Sequence, residues 1–454
     1  MLDTIGYPSL QEFVTRVRIL IVCQLTDVVN AMFDAFAFAI IRSFIDRGTL
    51  HVTLGNAPPV TLTGRQAGPD AHISARDRRT LWRLVTAPDL AFGEAYMDGH
   101  LVVPENGLEP LVDLLMTNSR SWAAHWTGRT TLVVGNALAW LRHLNPRGRA
   151  RRNVAHHYDL SDRLFDTFLD PWRQYSCGYF HSENDSLEAA QVTKLARLAA
   201  KLDLQPDDRI LDIGCGWGGL ATAMAHCAKK AHVTGITLSH HQLDHARRTA
   251  TWAGLEARLN FQLRDYRDQK GHFDKIISVG MLEHVGPQSY ASYFNKIKTL
   301  LSDNGVAVIH TIAVHHRAGP VNRWMTKYIF PGGYLPSVQQ MVRHTEGRGL
   351  KLLDVEVMRG HYAETLRLWR LRFLASRATM TALYDARFVR MWEFYLAGCE
   401  YFFRRQHAMV LQLQLAKDQM AAPMSRHYIR DREEEFKDKL WKLHPSGSQN
   451  PSPR

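Results

Sequence analysis

The segment Ile210-Leu-Asp-Ile-Gly-Cys-Gly-Trp-Gly-Gly-Leu220 constrains the fold more than any other part of the chain. Two apolar residues and an Asp run into four glycines within six residues, and an Ala/Met-rich helical pattern follows. That order describes a buried strand passing through a tight turn into a helix, as in an open α/β sheet. Glycine permits positive φ there and lets backbone amides approach a ligand without a Cβ in the way. Gly214, Gly216 and Gly219 satisfy G-x-G-x-x-G, a spacing that dinucleotide enzymes share and that is weak by itself. A nicotinamide site also needs an acid at the end of the next strand. That strand reads His232-Val-Thr-Gly-Ile-Thr-Leu238 and ends in Thr-Leu-Ser, without a carboxylate. Asp212 in the first strand end and Trp217 in the loop suit a smaller nucleoside ligand, such as S-adenosylmethionine. The alternative is a turn kept for packing alone.

Strand signals recur at 209–213, 232–237, 259–263, 274–279 and 305–311, with helical stretches between them. This alternation predicts an α/β fold with a mostly parallel, doubly wound, Rossmann-like sheet. Asp185-Ser-Leu-Glu188 has the spacing of a capping box before a helix that carries Leu195, Leu198 and Leu202 on one stripe. Beyond Trp369 the pattern is helical and aromatic. Residues 156–424 are expected to form the catalytic domain, and 425–454 a charged, then Pro/Ser-rich, partly disordered tail. Residues 1–142 read as a smaller α+β amino-terminal domain. It has strands at Thr49–Leu54 and Val60–Thr63 and helices near Leu108–Met116 and Thr131–His143. The run Ile19–Ile41 resembles a membrane span, but Asp27, Asn30 and Asp34 fall at i, i+3 and i+7 on one helical face. An amphipathic helix, buried on one side or lying on a membrane, is the expectation. Residues 143–155, with the basic run Arg147–Arg152, read as a linker.

The formal charge of +12 asks for a partner or a solubility role. No RNA- or DNA-binding pattern is visible, so no nucleic acid is expected, and an anionic lipid surface is the preferred partner. The five cysteines (23, 177, 215, 227 and 399) are far apart and form no C-x-x-C pair. Reduced thiols in a cytoplasm are expected, and no cleavable signal pattern opens the chain. His240-His241 and His315-His316 lack ligand spacing and carboxylate company, so no metal is expected.

Three further constellations bear on chemistry. Tyr175-Ser176 lies in a loop before the sheet and reads either as ligand contacts or as an ordinary aromatic turn. Glu283-His284 falls at the carboxyl end of a predicted strand, where open sheets bind ligands. Glu283 is expected to face the cleft and His284 to orient the loop. His310-Thr-Ile312 ends the next strand at the same edge, a pairing that favours one shared site. Phe330–Pro336 and Gly360–Tyr362 read as a lid or wall. Tyr395, Cys399 and Phe403 fall at i, i+4 and i+8, for which core packing is the default reading.

Together these segments resemble the cyclopropane-fatty-acyl-phospholipid synthases, S-adenosylmethionine-dependent methyltransferases that include the mycolic acid cyclopropane synthases. The matching stretches run in order from His157-Tyr-Asp-Leu160 through Leu169-Asp-Pro171, Gln174-Tyr-Ser-Cys177 and the glycine loop. They continue with Gly235-Ile-Thr-Leu-Ser239, Asp265-Tyr-Arg-Asp268, Gly280-Met-Leu-Glu-His-Val-Gly286, His310-Thr-Ile312 and Tyr328-Ile-Phe-Pro331. Gly93-Glu-Ala-Tyr-Met-Asp-Gly99 is similar to the amino-terminal domain of the phospholipid-acting members.

The resemblance implies that Tyr175, Ser176, Gly214, Gly216, Trp217, Thr237, Leu238 and Gln242 contact S-adenosylmethionine. Asp212, Cys215, Gly218, Ser239, Asp265 and Tyr266 lie in the same motifs and join them as candidates. It implies a bicarbonate ion held among Cys177, Glu283, His310, Ile312 and Tyr362, and it matches Cys399 to the family's active-site cysteine. The implied reaction, cyclopropane formation on unsaturated phospholipid chains, requires no covalent enzyme intermediate. A homodimer, peripheral on the inner membrane surface, is also implied. The alternatives are a lipid C-methyltransferase giving methylene, methyl-branched or furan products, and a non-catalytic lipid-binding protein.

Overall fold

The computed structural model describes residues 10–119, 121 and 160–443, apart from 316, 317 and 407. The expected linker, its Arg147–Arg152 run, the helix expected at 131–143 and the chain beyond 443 lie outside the described residues. Two compact units are present, Met1–Arg129 and Thr130–Arg454.

The first unit begins with the helix Leu10–Phe44 and continues into a sheet of β1 (Arg47–Leu54), β2 (Val60–Thr63), β3 (Gln66–Ala75) and β4 (Leu101–Val102). Their order is β2-β1-β3-β4, with β1 and β3 parallel. Strand alternation turns Leu50, Val52, Ala71 and Ile73 inward, and the helix Leu108–Thr117 packs on that face through Leu111 and Leu114. The sequence had hidden β3, because Gly68 and Pro69 interrupt its start. On the long helix Ala37 and Ile41 are buried, and Asp34 accepts two 3.0 Å bonds from Arg78 Nε. Val28, Val29, Met32, Phe33 and Phe36 remain exposed. Among the described residues no helix is long and apolar enough to cross a membrane.

The second unit is built on a seven-stranded sheet. Its parallel part comprises β5 (Arg209–Ile213), β6 (His232–Thr237), β7 (Leu259–Leu263), β8 (Phe273–Val279) and β9 (Leu301–Val314). A short hairpin, β10 (Gly319–Pro320) with β11 (Tyr334–Leu335), follows. Then come β12 (Lys351–Met358) and β13 (Ala408–Ala416), giving the order β12-β13-β9-β8-β5-β6-β7 with β13 antiparallel to both neighbours. Helices on both faces complete the doubly wound arrangement, with Leu195, Leu198 and Met224 in one core and Tyr293, Phe294 and Ile297 in the other.

Three expectations are corrected here. β13 lies inside the stretch read as helical; it alternates Leu411, Leu413 and Leu415 with Gln412 and Gln414, and every residue is buried. A strand buried on both faces can keep glutamines only if they are bonded, and Gln414 Nε2 donates to Lys201 O and the Tyr428 hydroxyl. Residues 427–441, read as part of the tail, form a helix that buries Ile429, Phe436 and Leu440 in the first core. The helix Leu187–Lys201 has Ser186 as its cap, accepting from Ala189 N at 3.1 Å. Asp185 instead accepts from His181 N and Ser182 N, so no capping box forms.

Candidate active site

The turn after β5 is left-handed at Gly214 (φ 84°), Gly216 (φ 55°) and Gly218 (φ 87°). Gly216 and Gly219 explain why two kinds of glycine are needed. A Cβ on Gly216 would meet nothing nearer than Gln242 Nε2 at 3.9 Å, so the residue keeps space open. A Cβ on Gly219 would fall 2.0 Å from Trp172 O, so that residue lets two segments touch.

The space kept open is a cavity at the carboxyl ends of β5, β6 and β8. Tyr175, Ser176, Asp212, Gly214, Cys215, Gly216, Trp217, Thr237, Leu238, Gln242, Asp265 and Tyr266 all line it. Gly218 and Ser239 do not. The first sits against Ala246 and Phe261, and the second caps the helix His240–Trp252 by accepting from Gln242 N. Arg173 and Arg264 also line the cavity and carried no signal in the sequence; Gln174, Arg267, Met281 and His284 line it too and lie within the motif stretches without having been assigned to the cofactor. Asp265 is held by Arg267, which donates from Nε at 2.8 Å and Nη2 at 2.6 Å.

Asp212 is the electrostatic centre of the cavity. Its carboxylate is buried, and neither oxygen has a hydrogen-bond partner. Burial pushes its pKa up to about 7, with Lys194 pulling the other way. A buried, uncompensated carboxylate costs free energy unless a cationic ligand meets it. The cationic amino-acid portion of S-adenosylmethionine fits that requirement, and the open backbone at Gly216 fits close approach of a ligand.

Lys194 is a functional residue that sequence reading missed. Its ammonium is fully buried, donates to Gln174 Oε1 at 2.5 Å and Ser176 Oγ at 3.1 Å, and thereby fixes two lining residues. Burial lowers its pKa to about 8, while Asp170, Cys177 and Asp212 raise it. Spacing gave no clear signal, because Gln191 and Lys201 share its buried helix face.

The second cluster borders this cavity. Of the pair expected at this strand end, His284 lines the cavity, while the Glu283 carboxylate beside it is turned to the Ile312 amide. Glu283 Oε1 accepts from Ile312 N at 2.5 Å, and Oε2 is buried with no partner. Burial raises the Glu283 pKa; the Ile312 amide opposes it. His310 lies opposite Val279 in the β8–β9 ladder, with Gln412 Nε2 3.3 Å from its Nδ1. Burial, with help from Lys194 and Lys201, lowers its pKa to about 3, so the ring is neutral. His284 is held neutral in the same way, at about 4.

Tyr362 and Cys177 complete the cluster. Burial raises the Tyr362 hydroxyl well above its ordinary range, and Tyr175, Cys177, Cys399 and Glu283 add to the effect. Cys177 Sγ donates to Gly178 O at 3.2 Å, and its thiol is likewise pushed up by burial. The stripe Tyr395, Cys399, Phe403 turns out not to be simple packing. Tyr395 and Tyr175 share a 2.7 Å hydroxyl–hydroxyl bond, and Phe403 lies 4.8 Å from the Tyr362 ring. Rings of Phe165, Phe168, Trp217 and Trp369 surround Tyr175 at centroid separations of 5.1 to 6.5 Å, and Trp392 lies 5.3 Å from Tyr395.

Residues 146–413, more than half of the chain, match the family model described as mycolic acid cyclopropane synthetase. The chain is 38% identical over 352 residues to tuberculostearic acid methyltransferase of Mycobacterium tuberculosis, covering 72% of this chain and 79% of that protein. It is 37% identical over 343 residues to cyclopropane-fatty-acyl-phospholipid synthase of Escherichia coli, covering 76% of this chain and 87% of the other. Among solved structures, mycolic acid cyclopropane synthase CmaA1 complexed with SAH and CTAB superposes with a TM-score of 0.56 at 32% identity. That match covers 60% of this chain and 99% of the other.

Proposed function

We propose that this chain, which belongs to the mycolic acid cyclopropane synthetase family of S-adenosylmethionine-dependent methyltransferases, forms cyclopropane rings on the cis double bonds of unsaturated phospholipid acyl chains. The observation that carries this reading is the buried Glu283 carboxylate. One oxygen is tied to Ile312 N and the other is left unpartnered, directly beside the cofactor cavity.

S-adenosylmethionine supplies an electrophilic methyl on sulfur, and bicarbonate, when bound, supplies a small base. Residues of this chain do the rest. An isolated alkene is a weak nucleophile, so the walls of the cavity must hold its π bond in near-attack geometry. As the alkene takes the methyl, the S–C electron pair leaves with sulfur and a cation develops on the second alkene carbon. The faces of Tyr175 and Trp217, which line the cavity, stabilise that charge and exclude water that would trap it. A proton must then leave the new methyl, and its C–H electron pair closes the ring. The donor set fits an anionic base: Glu283 Oε2 can accept its hydroxyl hydrogen, while the neutral His310 ring and the Tyr362 hydroxyl can donate. Cys177 and the Ile312 backbone border the same position.

A second reading is favoured by the tuberculostearic acid methyltransferase relative: the same transfer ending in a methylene or methyl-branched chain. The test is product analysis. The full chain is incubated with S-adenosylmethionine and vesicles of unsaturated phospholipid, and the lipid is examined by proton NMR. Shielded ring-methylene protons are expected; exomethylene or methyl-branched product alone would overturn the ring-forming reading. Docking as a peripheral homodimer on the inner, anionic leaflet belongs to the same proposal. The net charge of +12 and the exposed Val29, Met32, Phe33 and Phe36 support it. Vesicle binding should therefore weaken with rising salt.

A further inference from the structure

The outer face of the amino-terminal sheet carries a second group of chemically able side chains. His51 on β1 stands opposite His72 on β3 and opposite Thr61 on β2, and Asp70 lies two residues before His72. Alternation sends Leu50, Val52, Ala71 and Ile73 to the core and these four side chains outward. The two imidazoles stack with centroids 4.2 Å apart and planes 8° from parallel, so both present Nε2 to the same carboxylate. His51 Nε2 is 3.2 Å and His72 Nε2 3.7 Å from Asp70 Oδ1.

We propose that His51, Asp70 and His72 form a site for a first-row divalent transition ion, best suited to zinc. Two imidazole nitrogens and a carboxylate oxygen, with water in a fourth place, are a usual zinc donor set. Two ligands at about 2.05 Å in tetrahedral geometry stand about 3.3 Å apart. The separations of 3.2 and 3.7 Å to Asp70 lie close to that value, and all three donor atoms fall within 4.8 Å of one another. The near-parallel imidazoles would have to tilt toward each other to share the ion. A second observation points the same way. His51 Nδ1 lies 3.0 Å from Thr61 Oγ1, the outer hydrogen bond that fixes a ligating imidazole with its Nε2 lone pair toward the metal. In the tautomer with Nδ1–H given to Thr61, the Nε2 lone pair of His51 is left free for a metal on the side of Asp70.

Sequence spacing could not reveal this site, because its ligands meet across strands. The ion would tie β1 to β3 in the first unit, and the proposal is independent of the methyl-transfer reading.

The test is zinc titration of the chelator-treated full chain by calorimetry, with cobalt(II) absorption as a geometric probe. Wild type is expected to bind one equivalent that His72→Ala and His72→Gln each remove or weaken at least ~10-fold. Asp70→Asn should do the same, and Thr61→Val should weaken binding about 10-fold through the lost outer hydrogen bond. Zinc should raise the Tm of wild type and leave that of His72→Gln unchanged. Circular dichroism of the variants checks that they fold. An equivalent count and affinity unchanged in both His72 variants would overturn the proposal, as would no saturable binding up to about 100 μM zinc.

Discussion

The cofactor cavity and the neighbouring Glu283 cluster are built from different materials. The cavity takes much of its shape from backbone: the left-handed turn at Gly214 and Gly216, the end of β6 and the loop around Ser176. The Glu283 cluster consists of titratable side chains drawn from the 3₁₀ turn after β8, from β9, from the loop at Cys177 and from the helix His361–Ala375, held away from their ordinary pKa values by burial. A backbone cradle tolerates little added volume. A buried side-chain cluster tolerates little change of charge or hydrogen-bonding sense. Substitutions at the two places should fail in separable ways, binding in one and turnover in the other.

The largest effect is expected from Glu283→Gln. The amide oxygen can still accept from Ile312 N, so the fold should hold, but a donor NH₂ replaces the unpartnered oxygen. Loss of a positioned proton-transfer partner typically costs about 10²–10⁴ in rate. Turnover should fall within that range while cofactor affinity, measured by calorimetry, stays within a few-fold. Full cyclopropane turnover would remove Glu283 from the chemistry.

Gly216→Val should reverse that pattern. A branched side chain would project into the cavity from a residue at φ 55°, where only Gln242 Nε2 lies nearby. Cofactor affinity should drop at least about 100-fold, roughly 3 kcal/mol. Gly219→Ala is the control for the other kind of glycine: its Cβ would strike Trp172 O, so stability should suffer instead. A folded Gly216→Val protein with normal affinity would break the comparison.

A third effect, smaller in rate but readable in stability, comes from Asp212. Its folded pKa of about 7 is above the unfolded value of about 3.9, so the folded state binds the extra proton between them. Stability of the cofactor-free protein should therefore fall as pH rises from about 4 to 7, by at most about 4 kcal/mol. Asp212→Asn should flatten that slope and be the more stable form at pH 8, as denaturant midpoints would record. The same variant should bind cofactor more weakly. A wild-type stability that does not change across this window would mean that Asp212 finds a cation even without ligand.

Much of the cofactor half was legible in the sequence because local pattern encodes it. A strand, a glycine turn and a helix are contiguous, so Asp212, Gly214 and Gly216 could be placed from spacing alone. Ordered motifs then supplied Glu283, His310 and Tyr362 through resemblance. What stayed hidden depends on partners distant in the chain. Lys194 looks like an ordinary helix lysine until Gln174 and Ser176 close over it. Within the 3₁₀ turn at Leu282–His284, His284 lines the cavity and Glu283 accepts from the Ile312 amide, a division that depends on β9 and that local spacing does not encode. β13 was missed because its glutamines mimic a surface pattern while neighbouring strands and helices bury both faces.

The smallest effect is expected at Cys399, and it bears on which half of the site the helix Ala386–Arg405 serves. Its thiol is pushed up to about 12 by burial, with no cation to oppose it. At pH 8 only about one molecule in 10⁴ would carry the thiolate, the form that attacks. A nucleophilic cysteine needs the opposite environment, a depressed pKa beside a base or cation. What Cys399 does have is position. It neighbours Tyr362 and Tyr395 and raises both hydroxyls further. Cys399→Ser should therefore retain turnover within about 3-fold, and iodoacetamide should alkylate it slowly at neutral pH. Steric loss differs from chemical loss: Cys399→Phe should cost far more than Cys399→Ser, because a ring would invade the space between Tyr362 and Tyr395. Inactivation by Cys399→Ser comparable to that of Glu283→Gln would assign the thiol a chemical role and place this helix with the Glu283 cluster in function as well as in space.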